Sequence, residues 1–295
     1  MKIIEKMLPH HPVPIMGTDP NVTGMPMGPM GGIGPYTGPM LNSPENFVYI
    51  EDPFSEIAQC TGAIIHQQPS LFEAVTGCST QNRYHVFLQS PFGIKYAFKC
   101  NEFSDTCARC CLSANARPLK ITMRHVLSYQ EFDTDLSKVF ISIDKPCQCA
   151  CLCMCRPYMD VRLTDNGQRL GHIREPCTCC DVQLEVYDAN GALRYDIYGD
   201  GCQMGLCCSC CSSTVQKLST VRFDIRQNGM PLGSMSKMGA NIGEFFTKAD
   251  SYQIIFPPQA TPADKILLII AGLMIDYQNF EKNDNEPHNY YYNSY

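Results

Sequence analysis

The chain has 295 residues, and 44% of them are hydrophobic, so it can bury the core of one or two domains. Its formal net charge of −6 argues against a nucleic-acid binder, because contacts with phosphates require a basic surface, and it also weakens electrostatic docking on anionic lipid. The share of cysteine, 19 of 295 residues, is below the roughly 8–10% that is typical of a short disulfide scaffold.

Residues 1–45 predict a disordered tail. Proline and glycine make up 16 of the first 44 residues, which exceeds the roughly 25–30% above which an aperiodic segment is read as low-complexity. The first apolar run, Ile3 and Ile4, is too short for a signal peptide, so we expect the chain in the cytosol, where paired disulfides are rare. Residues 282–295 are expected to form a second, shorter disordered tail.

Two P-x-x-P segments lie in the N-terminal tail, at Pro9–Pro12 and Pro26–Pro29. Partner domains of the SH3 and WW type recognise this spacing in polyproline helices. The same spacing arises readily in any proline-rich tract, so a solvated linker is the alternative.

From about residue 80 onward, the chain predicts antiparallel hairpins. Asn166-Gly167, Asn190-Gly191 and Asn228-Gly229 each lie between segments of alternating polarity. Asn-Gly favours a type I′ turn, because both residues tolerate a positive φ. Three such turns indicate an antiparallel, mainly β architecture, and we assign residues 46–281 to this one domain.

Most of the cysteines fall into four clusters, within residues 107–111, 147–155, 177–180 and 202–211. The last three clusters lie in connections between the predicted hairpins, opposite the Asn-Gly turns, and we expect the first in the same kind of loop. All such connections of an up-and-down sheet emerge at the same end. The sequence therefore predicts a thiol-rich rim.

The segment "CQCACLCMC" places five cysteines at alternate positions, which would share one face of an extended strand. This spacing does not converge on a single metal ion. Cytosolic cysteine runs of this kind favour S-acylation, and several acyl chains hold a protein on a membrane more firmly than one. A role as small buried hydrophobic residues is the alternative. The predicted palmitoylation sites are Cys147, Cys149, Cys151, Cys153 and Cys155.

C-x2-C pairs elsewhere in the chain allow a different chemistry. Two such pairs brought together by folding would form a tetrahedral thiolate site for zinc. None of the seven histidines lies in a motif that pairs it with a nucleophile, so we expect no covalent catalysis. The alternative zinc ligands are Cys177, Cys180, Cys207 and Cys210.

A hydrophobic helix is predicted over residues 264–280. Its uncharged run, Ile266–Ile275, is ten residues long, whereas a spanning helix needs about 20. We therefore expect a core helix enclosed by the sheet, with Gly272 allowing a strand to approach and Asp276 at the barrel mouth, satisfied by water or a backbone amide. Its predicted core residues are Ile266, Leu267, Leu268, Ile269, Ile270, Leu273, Met274 and Ile275.

Several segments resemble the phospholipid scramblase family, among them "SPFGIKYAF", "CARCCLSANARPLKITM", the cysteine run, and "ADSYQIIFP" followed by "ILLIIAGLMIDYQNFE". The resemblance covers residues 53–281. It implies a tubby-like closed barrel of about twelve strands around the C-terminal helix, a Pro-rich tail, a palmitoylated cysteine run, a calcium-binding loop and a C-terminal helix that spans the membrane once.

The aligned calcium loop is Lys248–Gln259. Of the acidic ligands in the family pattern, only Asp250 is present, because lysine and glutamine occupy the first and last positions. Asp264, further along the chain, could contribute only if the loop rearranged. Since Ca²⁺ takes 6–8 oxygen ligands, we expect weak calcium binding.

The resemblance implies ATP-independent movement of phospholipids between leaflets, at the cytoplasmic face of the plasma membrane. Such transport involves no covalent chemistry. A single short helix cannot form a path for headgroups, so transport would require a homo-oligomer or a local distortion of the bilayer. The alternative function is an acylated tubby-like adaptor that binds lipid and recruits partners through its Pro-rich tail.

Overall fold

The computed structural model describes residues 52–68, 81–112, 116–127, 137–148, 156–178, 181–203, 206, 220–238 and 251–280. The predicted tails, 1–45 and 282–295, lie outside these residues. Within the described residues, the chain forms twelve strands and three helices.

The strands are short and follow one another along the chain. They are β1 (Gly62–Gln67), β2 (Arg83–Ser90), β3 (Gly93–Phe103), β4 (Leu119–His125), β5 (Val139–Lys145), β6 (Tyr158–Leu163), β7 (Arg169–Arg174), β8 (Val182–Asp188), β9 (Leu193–Gly199), β10 (Val221–Gln227), β11 (Met230–Met238) and β12 (Ser251–Ile255).

The helices are α1 (Pro53–Ala58), α2 (Thr106–Cys111) and α3 (Pro262–Asn279). Each begins after a residue whose side-chain oxygen accepts hydrogen bonds from amides of the first turn, namely Asp52, Asp105 and Thr261. Such caps satisfy amides that have no partner within the helix. Helix α3 confirms the predicted hydrophobic helix and begins two residues earlier than expected.

Every strand pairs with its sequence neighbours in antiparallel register, and β1 also pairs with β12, which closes the sheet into a barrel. The predicted closed antiparallel barrel is therefore confirmed. The three Asn-Gly pairs join β6 to β7, β8 to β9 and β10 to β11. Among them, only Asn228-Gly229 has a positive φ at both residues, so the type I′ expectation is wrong for the other two.

Helix α3 forms the centre of the barrel. Every residue from Asp264 to Tyr277 is buried, and inward-facing side chains of the strands, such as Phe98 and Phe223, belong to the same core cluster. A small barrel must be filled by side chains, and an apolar helix supplies much of that filling. Within the described residues, no helix is long and apolar enough to cross a membrane.

Gly272 lies on α3 where β1 and β12 pass. A Cβ atom at this position would lie 2.9 Å from Ile65 Cδ1 and 3.5 Å from Ile254 Cδ1. The glycine therefore makes room for two side chains of the adjacent strands, which pack more closely on the helix than a larger residue would permit.

We predict that Leu268→Arg unfolds the whole barrel. Leu268 is fully buried on α3, so the substitution places an unpaired charge in the core at a cost on the order of 5 kcal/mol, comparable to the total stability of many domains. Circular dichroism and the melting temperature report the result. Leu193→Arg is the matched control, because Leu193 is 54% exposed and should tolerate the charge. A Leu268→Arg protein that melts like the wild type would contradict a helix packed inside the barrel.

Candidate functional site

The connections between strands emerge alternately at the two ends of the barrel. The Asn-Gly turns lie at one end, here named the hairpin end, and the connections β3–β4, β5–β6, β7–β8 and β9–β10 lie at the other, here named the cysteine end. Four exposed cysteines occupy those four connections, and this agrees with the predicted rim for the cysteines that the structure describes. They are Cys107, Cys147, Cys177 and Cys202.

Most of the residues predicted to be acylated or to bind metal lie outside the described residues, so their roles stay predictions. Of the acylation run, only Cys147 is described, and it is exposed. Of the alternative zinc ligands, only Cys177 is described. The described residues contain no group of three or more histidine, cysteine or acidic side chains that could hold a metal ion. The undescribed site residues are Cys149, Cys151, Cys153, Cys155, Cys180, Cys207, Cys210 and Asp250.

Two other cysteines belong to the core. Burial raises the pKa of the Cys60 thiol to about 11 and also raises the pKa of Cys100. The thiolate is the reactive form of cysteine, so neither thiol is suited to modification or metal binding. The cysteines whose side chains the structure describes thus divide into a buried, inert pair and an exposed group at one end.

The barrel interior at the cysteine end contains a buried carboxylate, Asp276 on α3, which is only 3% exposed. It accepts hydrogen bonds of 2.9 Å from the hydroxyls of Tyr84 and Tyr252, and Lys237 Nζ lies 3.6 Å from its Oδ1. These two hydrogen bonds therefore come from tyrosine hydroxyls, and not from water or a backbone amide as expected. Side chains of three strands hold this carboxylate in place.

The next residue on the helix anchors a second buried group of charges. Arg117 Nε donates a 2.6 Å hydrogen bond to the hydroxyl of Tyr277, and the Arg117 guanidinium lies 3.5 Å from Glu102. Lys145 Nζ donates to the backbone carbonyl of Arg117 at 2.7 Å and lies over the Tyr277 ring. These contacts close the barrel beneath the cysteine-bearing connections.

Polar contacts also fix the other end of α3. Arg194 binds Asp264 through two hydrogen bonds of 3.0 and 3.2 Å. Burial on its own would raise the pKa of Asp264, but the hydrogen bonds from Arg194 and Thr261 outweigh it and lower the pKa. Asp264 therefore remains ionised and already has its counter-charge.

Lys265 ties α3 to α1 at the same end of the barrel. Its ammonium donates to the carbonyls of Ile57, Ala58 and Cys60 at 3.2, 2.8 and 2.8 Å. Burial lowers the pKa of this lysine, but three carbonyl acceptors beside the C-terminus of a helix favour a cation. Helix α1 therefore closes the hairpin end of the barrel.

A groove of about 580 Å³ lies on the outer face of the barrel at the cysteine end. The ends of β3 and β5 and the starts of β4 and β6 form its walls. Two of its lining residues, Asp105 and Pro146, lie two residues and one residue before the exposed Cys107 and Cys147. The groove therefore opens beside the thiol-bearing connections.

The comparison with a family model and the comparison with individual proteins agree with each other. The family model described as Scramblase matches residues 41–282. Mouse phospholipid scramblase 1 is 26% identical over 256 residues, covering 85% of this chain and 69% of the mouse protein. The human protein of that name is 27% identical, with 84% and 69% covered, and bovine phospholipid scramblase 2 is 25% identical, with 82% and 74% covered. No solved structure matches significantly.

We predict that Asp276→Ala destabilises the barrel by about 3–5 kcal/mol, because it removes the acceptor of two buried hydroxyls and the counter-charge of Lys237. Urea unfolding followed by circular dichroism gives the free energy. Asp165→Ala is the matched control, since Asp165 forms an exposed pair with Lys138 at the hairpin end and should cost at most about 1 kcal/mol. Equal losses for the two variants would show that the Asp276 cluster does not stabilise the fold.

Proposed function

The chain belongs to the scramblase family, and on this basis we propose that it moves phospholipids between the two leaflets of a membrane, in both directions and without ATP. The observation that carries the proposal is the family match, which spans residues 41–282. The three relatives compared above are named phospholipid scramblases, and each aligns with more than four-fifths of this chain.

The headgroup path in this proposal lies outside the barrel. Helix α3 is buried on all sides, so the interior has no room for a polar headgroup. Moving a headgroup through hydrocarbon is costly unless polar groups or water accompany it. The outer surface, joined to that of a second copy or to a locally thinned bilayer, would supply such an environment.

We propose that acylation holds the cysteine end against the cytoplasmic leaflet of the plasma membrane. Cys147 is exposed there, and three further described connections at this end also carry an exposed cysteine. The net charge of −6 gives no general attraction to anionic lipid, so attachment depends on apolar anchors. Several acyl chains would provide a firm one.

In this proposal, calcium has little influence. Ser251–Ile255, within the aligned calcium loop, forms β12, and both edges of that strand are paired, with β1 and β11. A strand fixed on both edges does not wrap around a cation. Asp264, the other candidate ligand, is bound by Arg194. These contacts support a weak calcium link, with Asp250 as the acidic ligand that remains from the family pattern.

Reconstitution tests the proposed activity. The full chain, placed in liposomes that contain fluorescent phosphatidylcholine, should make inner-leaflet lipid accessible to an external quencher without ATP, and micromolar Ca²⁺ should not change the rate appreciably. Protein-free liposomes and the Leu268→Arg variant, which lacks the packed barrel, are the controls. If folded wild-type protein leaves the inner-leaflet fluorescence protected, the chain does not scramble lipid.

We expect the cysteine run to govern membrane attachment. Replacing all five cysteines by serine should abolish most palmitate incorporation and move the protein from the membrane fraction to the soluble fraction or the nucleus. The double variant Cys177→Ser/Cys202→Ser, which alters exposed cysteines of the same end, should remain attached. Unchanged fractionation of the five-fold variant would refute attachment through this run. The substituted residues are Cys147, Cys149, Cys151, Cys153 and Cys155.

A further inference from the structure

The groove at the cysteine end has an ordered arrangement of charges along its floor. Phe103 pairs with Lys120, Lys120 with Asp144, and Asp144 with Asp160, each directly opposite the next on neighbouring strands. Directly opposite side chains lie on the same face of a sheet, so these four form a row across β3, β4, β5 and β6. The row contains one cation followed by two anions.

The two carboxylates of the row differ in their partners. Asp160 binds both Arg162, at 2.7 Å, and Arg169, at 2.6 Å. Asp144 accepts only a 3.5 Å hydrogen bond from Ser142, and no ion pair to Asp144 forms within the described part of the chain. The Asp144 carboxylate lies directly opposite Asp160 and therefore adds a negative charge that no ion pair within the described residues neutralises.

Lys120, the cation of the row, likewise forms no ion pair within the described residues. It lies directly opposite Asp144, yet the two side chains do not pair, and the described residues offer Lys120 no other ion pair or side-chain hydrogen bond. Opposite positions on neighbouring strands are about 5 Å apart. The groove therefore holds one available cation and one available anion, separated by one strand spacing.

Aromatic side chains lie at both margins of this charged pair. Phe103, opposite Lys120, is 46% exposed, and Tyr158, diagonally placed from Asp144 on β6, is 37% exposed. Exposed aromatic rings suit a membrane interface, and their faces attract ammonium groups. Tyr158 could thus contact a cation that Asp144 binds.

We infer that the groove binds the zwitterionic headgroup of a membrane phospholipid. Lys120 would bind the phosphate, and Asp144 with Tyr158 would bind the ammonium or choline group. The inference rests on the proposed function, since it names the lipid class and the place of contact. The juxtaposition supports it, because Lys120 and Asp144 lie directly opposite each other, so a simple ion would be attracted by one of them and repelled by the other. The charged lining residues are Asp105, Asp144, Asp160, Lys120, Lys145 and Arg162.

The location of the groove favours a membrane lipid, rather than a free metabolite, as its ligand. Cys107 and Cys147 are exposed beside it, and acyl chains attached at this end would hold the groove at the membrane surface. Phe103 would then contact the glycerol and upper acyl region next to the phosphate. A headgroup held in this way keeps its acyl chains in the bilayer, as transport across it requires.

Titration of the full chain with short-chain, monomeric lipids tests the site by nuclear magnetic resonance. Phosphatidylcholine should shift backbone amides of β4 and β5 near the groove. Asp144→Asn should weaken phosphatidylcholine binding about three- to five-fold. It should not weaken the binding of phosphatidylglycerol, which lacks an amine and whose net negative charge Asp144 repels. Lys120→Gln should weaken both lipids, since both contain the phosphate.

Matched controls come from the exposed pair at the opposite end of the barrel. Lys138→Gln and Asp165→Asn make the same charge changes at residues that are 75% and 63% exposed, and neither should alter binding. Circular dichroism should show that all four variants fold. Equal phosphatidylcholine affinity for Asp144→Asn and the wild type would overturn the site, and so would amide shifts confined to other strands. Tighter binding of free phosphocholine than of the lipid would overturn the assignment to membrane lipid.

Leaflet exchange by the same variants separates this inference from the proposed function. A wild-type protein that exchanges lipid, together with an Asp144→Asn variant that binds phosphatidylcholine equally well, refutes the groove and leaves the function standing. A wild-type protein that binds phosphatidylcholine through Asp144 but exchanges no lipid refutes the function and leaves the groove standing.

Discussion

A helix that is apolar on every face must be shielded from water, and this constraint determines the rest of the structure. Helix α3 buries fourteen consecutive residues, from Asp264 to Tyr277, which no single flat sheet could cover. Closing the sheet through the pairing of β1 with β12 surrounds the helix and also leaves no exposed strand edge in the barrel. The need to cover α3 also explains why alternate side chains of the strands are apolar and face the barrel interior.

The polar residues near the two ends of α3 fix its position along the barrel axis. Asp264 meets Arg194 at the hairpin end, and Asp276 meets Tyr84 and Tyr252 at the cysteine end. Sliding the helix by one turn would move one of these carboxylates into the apolar interior, away from its partners, at a cost of several kcal/mol. The fold is therefore specified by apolar burial and by polar contacts at both ends.

Much of the architecture follows from local sequence patterns, whereas the contacts at the helix ends do not. Asn-Gly turns and the run Ile266–Ile275 predict hairpins and a core helix, because each pattern is complete within a few residues. The bond between Tyr84 and Asp276 joins residues 192 positions apart, and alternation predicts the face of a strand but not which residue it meets.

Helix α1 could also have been predicted from a local sequence pattern. Asp52 followed by Pro53 is a helix start, with an N-cap aspartate and a proline in the first turn, and it marks α1. The charged groove had no comparable signal. Phe103, Lys120, Asp144 and Asp160 meet only through the registers of three strand pairs, and those registers are properties of the closed barrel.

The order of the elements along the chain affects how the protein is made. Ile64 on β1 pairs with Gln253 on β12, and α3 follows the twelve strands that the structure describes. During synthesis, eleven strands therefore leave the ribosome before the last strand and the helix around which they close. Until then, their inward apolar faces and unpaired edges are accessible to chaperones and to other nascent chains. Assembly of the barrel must follow translation of its centre, so a pause in synthesis before residue 262 would prolong the stage at which the chain is most prone to aggregate.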